Sequence, residues 1–272
     1  MFKNIIIGQY IPGSSPLHKI NPAVKIALAF IYIIILFFIK KPLSYAVFTV
    51  YVLSLVMISG ISVKTILRGI RPMLWIFVIT ALLNFFMTPG EAVWSIPVFK
   101  FSISVTREGL IFGTVMIIRL LFLIVGTSLL TLTTSPLLLT DGIEKLLTPL
   151  KKIKVPAHEI AMMMTIAIRF IPTLAEETDK IMKAQTARGA DFETGNIIRR
   201  AKAMTPLLIP LFVSAFRRAD ELATAMEARC YNGGGSRTKM KETRITKSDI
   251  ITVIIFITGC LLLILTEFLV EI

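Results

Sequence analysis

Apolar residues run in long blocks along this chain, separated by short stretches that carry charge, proline or glycine. A helix crossing a hydrocarbon core of about 30 Å needs roughly 20 such residues at 1.5 Å each. Five blocks meet or approach that length, at about 23–39, 43–58, 72–87, 107–132 and 250–269. Pro22 suits the first turn of the first span, with Asn21 as its cap, and Gly60 ends the second. Lys64, Arg68 and Arg71 form a basic shoulder before the third. A loop with Pro89, Gly90 and Pro97 follows, in which Val93, Trp94 and Ile96 are read as an interfacial anchor. Asp249 is the expected cap of the last span, which meets Glu267 only near its end.

Between the fourth and fifth blocks the pattern changes to helical periodicity with many charges. A short amphipathic helix is expected over Asp141 to Leu150, with Ile143, Leu146, Leu147 and Leu150 on one face and Pro149 in its last turn. A second helix runs from near Pro156 to Ala187. It is apolar at first, then polar through Glu176, Glu177, Asp179, Lys180 and Lys183, with a kink expected at Pro172. A third starts at Thr194 or Asn196 and ends before Asn232-Gly233-Gly234-Gly235, a flexible linker. Pro206 and Pro210 predict a bent or broken helix. Phe212, Ala215, Phe216, Ala219, Leu222, Ala223 and Met226 then line one face, with Arg217 within reach of Glu221. The fold class is therefore all-α: a polytopic helical membrane protein with five spans plus long cytosolic helices. Four spans fall in 1–134, the helical cytosolic region in 135–248, and the last span in 249–272.

Composition supports the membrane assignment. Of 272 residues 55% are hydrophobic and 17% charged, against about 25% charged in a soluble domain. The net charge of +13 is not spread evenly. Lys19, Lys25, Lys64 to Arg71, and Arg237, Lys239, Lys241, Arg244 and Lys247 fall on one side of a five-span chain. Lys40, Lys41, Lys100 and Arg107 fall on the other. The positive-inside bias then puts the N-terminus and 135–248 in the cytosol and the C-terminus outside. No basic stripe interleaved with aromatics supports nucleic acid as a partner. Cys260 lies inside the last block, which argues against a disulfide with Cys230. The leader, with Gly8, Pro12, Gly13 and Pro16, has no apolar region of a signal peptide. Arg119 sits mid-span, where a charge costs about 2.5 kcal/mol or more unless it faces a polar partner. An interhelical contact or a snorkelled link to a lipid headgroup is the favoured reading over a functional one.

Two stretches in the cytosolic region end alike, Ala187-Arg188-Gly189 and Ala228-Arg229-Cys230. An arginine at a helix end interacts favourably with the exposed carbonyls, which explains one occurrence. Two occurrences, each with small residues before and an aromatic (Phe192, Tyr231) beyond, fit arginines inserted into acidic or carbonyl-lined grooves of another protein. Met162, Met163, Met164 and Met204, with Ala161 and Ala167, offer a deformable surface near the membrane boundary, suited to more than one partner. Core filling is the plainer role for each methionine. No glycine-rich phosphate loop ends in Lys-Ser or Lys-Thr, so the chain is not expected to hydrolyse ATP. His18 and His158 are the only histidines, and no metal site is expected. The competing class is a membrane enzyme acting on lipid or isoprenoid substrates through Arg119, Glu159, Arg169, Glu176, Glu177 and Asp179. It lacks an aspartate-rich or histidine-rich constellation. A stand-alone secondary transporter would call for paired repeats, which the pattern does not show.

At these residues the chain resembles a known family, the transmembrane coupling (T) component of energy-coupling factor (ECF) vitamin transporters. The resemblance rests on the leader Gly8-Gln9-Tyr10-Ile11-Pro12-Gly13 and on Leu17-His18-Lys19-Ile20-Asn21-Pro22. It continues through Gln185-Thr186-Ala187-Arg188-Gly189-Ala190 and through Ala219-Asp220-Glu221-Leu222 to Ala225-Met226-Glu227-Ala228-Arg229. The second motif has Cys230 in place of glycine. The resemblance implies a non-catalytic subunit in the bacterial cell membrane, with no cofactor of its own. Two cytosolic ABC-type ATPase subunits, which bind the ATP, would each receive one arginine of the paired coupling helices. A small membrane subunit would capture the vitamin or micronutrient. The leader looks most like the shared type, in which one energising module serves several binding subunits, and a cobalt or nickel version belongs to the same family.

Overall fold

The computed structural model describes residues 10–98, 101–192, 196–231, 233 and 246–269. The leader up to Gln9, Thr194, Gly234-Gly235 and the basic run Arg237 to Arg244 lie outside the described residues. The chain divides into a membrane unit, within Tyr10–Ser135 and Thr243–Ile272, and an arm unit within Pro136–Glu242.

The membrane unit begins with a short helix α1 (Pro16–Lys19), then α2 (Pro22–Phe38) and α3 (Pro42–Ser59). Next come α4 (Val63–Ile70), a 3-10 turn (Arg71–Met73) and α5 (Leu74–Met87). A hairpin of β1 (Ala92–Val98) and β2 (Phe101–Thr106) leads into α6 (Arg107–Thr133). The last helix of the unit, numbered α10 in chain order, is Lys247–Leu269. By length and apolarity four helical runs among the described residues can cross a membrane: Pro42–Ser59, Val63–Met87, Arg107–Thr133 and Lys247–Glu267. Pro22–Phe38 is equally apolar but shorter, at 17 residues.

Several local expectations hold. Asn21 caps α2, its side chain accepting from the Ala23 amide at 3.1 Å, with Pro22 in the first turn. Others change. The helical run of the third span begins before Pro72: Lys64 and Arg68 of the basic shoulder lie on α4, an amphipathic helix with Ile66 and Ile70 buried, and Pro72 sits in the 3-10 turn joining it to α5. Proline has no amide to donate, so the helical run tightens there instead of breaking. Around Val93, Trp94 and Ile96 the expected loop is an antiparallel hairpin that pairs Trp94 with Val105 and Ile96 with Ile103. Asp249 caps α10 from inside the helix. Its carboxylate accepts the Thr246 amide at 2.7 Å and the Thr246 hydroxyl at 2.8 Å, the reach-back half of a capping box. The same side chain accepts the Asn21 amide at 2.7 Å, tying α10 to the start of α2.

Three contacts at heptad intervals set α2 against α6. Near the start of α2 the buried Lys25 ammonium donates to the Thr133 carbonyl and hydroxyl, both at 3.3 Å, and to the Thr134 hydroxyl at 2.8 Å. Its three donors are thereby all used. One heptad on, the Tyr32 ring lies where a side chain on Gly126 would stand, and its hydroxyl donates to the Phe122 carbonyl at 2.8 Å. One heptad further, the Ile39 carbonyl accepts from Arg119 Nη2 at 2.9 Å. Positions 25, 32 and 39 thus face 133, 126 and 119, an antiparallel seam with the spacing of a coiled coil. Around it pack Phe48, 5.1 Å from Tyr32 and 5.3 Å from Phe122 between ring centres, and Leu36, Val52, Val125 and Leu129.

Arg119 is therefore an interhelical contact. Its guanidinium meets the carbonyl end of α2, where a cation is favoured, and lies 5.5 Å from the Phe37 ring centre, although its Nε is buried without a hydrogen-bond partner. Glu267 is likewise employed. It accepts from Ser44 Oγ at 2.8 Å and from the Lys40 and Lys41 amides at 3.3 and 3.4 Å, placing a carboxylate at the N-terminus of α3.

Candidate functional site: two arginine-tipped arms

The arm unit comprises α7 (Pro136–Leu147), a 3-10 segment (Thr148–Ile153), α8 (Ala157–Ala187) and α9 (Ile197–Glu227). The short helix starts five residues earlier than the periodicity suggests, and Pro149 opens the 3-10 segment instead of closing the helix. A proline is easily placed in a first turn, where its missing amide is not needed. Small residues let α7 and α8 approach: Gly142, Ala157 and Ala161 are buried. The Thr140 and Thr165 hydroxyls meet at 3.5 Å, and His158 Nδ1 meets Glu144 at 3.0 Å. His158 is thus part of a structural pair. His18, in the membrane unit, bonds Ser15 Oγ and the Ile11 carbonyl. No cluster able to hold a metal ion occurs among the described residues.

Both long arms run for 31 residues, with Pro172 inside α8 and Pro206 and Pro210 inside α9. Of the bent or broken helix expected at the prolines, the broken form does not occur: α9 is one continuous helix from its Asn196 N-cap. A lost hydrogen bond on an exposed helix surface is replaced by water, so proline there bends a long helix more readily than it ends one.

Both arms end in the same turn. At the end of α8 the Ala190 amide bonds the Gln185 carbonyl at 3.0 Å and the Gly189 amide bonds Thr186 at 2.9 Å. At the end of α9 the Tyr231 amide bonds Met226 at 3.0 Å and the Cys230 amide bonds Glu227 at 2.8 Å. Each is a Schellman motif with its left-handed residue one place after the arginine: Gly189 at φ +89° and Cys230 at φ +59°. The cysteine substitution does not blunt the third helix. It terminates as sharply as its counterpart, in a conformation that costs a non-glycine residue about 1–2 kcal/mol. Arg188 and Arg229 occupy the same place in this turn, and both side chains are exposed, as are Ala187 and Ala228 before them.

The expected broad face of α9 splits in two. Ala215, Leu222 and Met226 are half-buried along a stripe shared with Arg218, whereas Phe212 and Phe216 stand exposed with Val213. Beside that face an open groove runs along α9 toward the tip, lined by Phe216, Arg217, Asp220, Thr224 and Ala228 among others. The ion pair is also different: Arg218, not Arg217, is engaged, and its partner is Glu177 on α8 at 2.6 Å. The signal for it was present in Glu176-Glu177 and Arg217-Arg218, but helix periodicity alone cannot pair residues on separate helices. On α8 Met163 and Met164 are exposed and Met162 is half-buried, so the methionine run is not core filling along its whole length.

Two residues of the enzyme alternative have structural partners within their own units. Arg119 belongs to the membrane unit and is bound to Ile39, and Glu177 is bound to Arg218.

Comparison with known proteins places the chain among relatives. Residues 13–241 match the model of the family described as cobalt transport protein, CbiQ. The energy-coupling factor transporter transmembrane protein EcfT of Clostridium kluyveri is 56% identical over 92% of this chain and 92% of its own. That of Thermosediminibacter oceani is 55% identical over 91% of this chain and 92% of its own. The Bacillus subtilis protein of the same description is 46% identical, covering 92% of this chain and 93% of its own.

Proposed function

The chain belongs to the family of energy-coupling factor transporter transmembrane proteins, and from that premise we propose that its two arms are the coupling device of an ATP-driven importer. As a member of this family it is a transporter component and not a catalytic enzyme. In our reading Arg188 docks into one cytosolic ABC-type ATPase subunit and Arg229 into a second, each with its flanking residues Ala187 and Gly189, or Ala228 and Cys230. ATP is bound by those partners. Their opening and closing moves the arms, and the motion reaches a small membrane subunit that carries a vitamin or other micronutrient. The exposed methionines Met163 and Met164, with Met162, suit that variable partner. The basic flanks support a cytosolic N-terminus and arm unit and an external C-terminus, which requires Pro22–Phe38 to serve as a fifth span.

The observation that carries the reading is the repeated turn. Two helices that end in the same hydrogen-bonded motif, each presenting an exposed arginine, are suited to two similar grooves. A guanidinium entering such a groove makes several charge-assisted hydrogen bonds, and truncating a buried interface arginine typically costs about 2 kcal/mol or more. R188A and R229A singly should lower uptake several-fold, and the double variant should abolish it or release the ATPase subunits. Uptake and co-purification of the ATPases from native membranes measure this. Full uptake by the double variant would refute the assignment.

A further inference from the structure

The paired tips have a counterpart deeper in the arms. Arg188 and Arg229 occupy the same position in the same terminal turn, so residues on α8 and α9 correspond at an offset of 41. Glu177 and Arg218, which form the ion pair between the two arms, are separated by that same 41. Each lies eleven residues, three helical turns, before its own tip arginine. The arms therefore touch at equivalent points, as two copies of one element would around a local two-fold axis. The charges at the contact are opposite: Glu176-Glu177 on α8 corresponds to Arg217-Arg218 on α9. An identical pair of arms would set like charges against each other there. Opposite charges turn the place of closest correspondence into an attraction and distinguish one arm from the other.

We propose that Glu177–Arg218 is a positioning pair, the fixed point that sets the separation of the two docking arginines. The proposal rests on the docking role of Arg188 and Arg229. Eleven residues of helix span about 16 Å. A rotation of about 10° at the contact would therefore carry a tip sideways by roughly 3 Å, the difference between a seated and an unseated hydrogen bond. The neighbouring packing is light enough to need such a lock, since the half-buried stripe along α9 is built of Ala215, Leu222 and Met226 while its aromatic residues face outward. The carboxylate and guanidinium are 23% and 33% exposed, so their contribution to overall stability is small. Direction, not strength, is what a 2.6 Å contact between a planar carboxylate and a guanidinium supplies.

The test reads geometry first and transport second, in the intact complex. Spin labels are placed at Lys183 and Thr224, exposed and equivalent positions between the contact and the tips, in a chain with C230G and C260S. The proposal expects a distance distribution that widens or shifts by several ångströms in E177Q and in E177R, and returns to the original in E177R/R218E. In uptake, E177R and R218E should each lose about fivefold in substrate moved per ATP hydrolysed, with ATPase subunits still attached. The swapped double variant should recover to within about twofold. An unchanged distance distribution in E177Q and E177R overturns the proposal, as does a double variant no better than the singles. R188A/R229A runs beside them: full uptake there would sink the docking role, while the distance measurement still decides on the pair. A single variant that fails to accumulate is replaced by E177Q, whose labelled distances decide the same question.

Discussion

At the scale of single residues, the most instructive position is Cys230. Its left-handed backbone, φ +59°, is forced by the turn that ends α9, and a cysteine bears a steric cost there that Gly189 does not bear in the matching turn. Cys230→Gly should raise the stability of the chain by about 1 kcal/mol with uptake retained, whereas Cys230→Val, β-branched, should lower it. Unfolding of the detergent-solubilised variants, followed by circular dichroism, measures both. A glycine variant less stable than the parent would mean that the thiol makes a contact of its own. Residues whose chemistry is local are legible in the sequence: Asn21 as a cap and the two arginines as tips follow from their neighbours along the chain. Lys25 is not. It reads as a flanking cation of the first span, yet it is buried and fully hydrogen-bonded to Thr133 and Thr134, more than a hundred residues away.

At the scale of elements, the seam between α2 and α6 shows how a small residue governs a helix pair. Gly126 allows the Tyr32 ring to lie against the α6 backbone, and that ring is held by its hydroxyl bond to Phe122 and by Phe48 behind it. The ring is buried. Gly126→Val should therefore force the helices apart and cost about 1–3 kcal/mol, the range for overpacked cores. Gly126→Val combined with Tyr32→Ala should recover part of the loss by removing the obstructing ring. Thermal unfolding midpoints of the purified variants give the comparison, and equal stability of Gly126→Val and parent would contradict the close approach. The elements themselves are largely legible, because apolar blocks and caps are local signals. The hairpin after α5 is not, although Phe101, Ile103 and Val105 alternate with Ser102, Ser104 and Thr106 as a strand would. In a chain dominated by apolar helices, six alternating residues are outweighed by the prolines and glycine beside them.

At the scale of the whole molecule, topology is the property that the charge pattern addresses most directly. In a chain stripped of its two native cysteines, a membrane-impermeant thiol reagent added to intact cells should label Lys40→Cys, between α2 and α3. It should spare Ser62→Cys, between α3 and α4. The opposite labelling would invert the orientation, and labelling of both would mean that α3 does not cross. On the five-span reading Lys40 and Lys41 would lie on the outer side against the general bias, and Glu267 stands beside them. Its carboxylate accepts their backbone amides and the Ser44 hydroxyl at the start of α3.

What the amino-acid order determined by itself was everything decided within a few turns of chain: the apolar blocks, their caps, the uneven charge of the segments between the blocks and the two arginine tips. These follow from burial, from local hydrogen bonds and from electrostatics over short separations. Tertiary structure alone decided the partners. Arg119 with Ile39, Lys25 with Thr133 and Thr134, Asp249 with Asn21, and Glu177 with Arg218 join residues that no local period relates. A buried or half-buried polar group must find a partner wherever packing brings one within about 3 Å. Which one that is depends on how whole helices lie side by side.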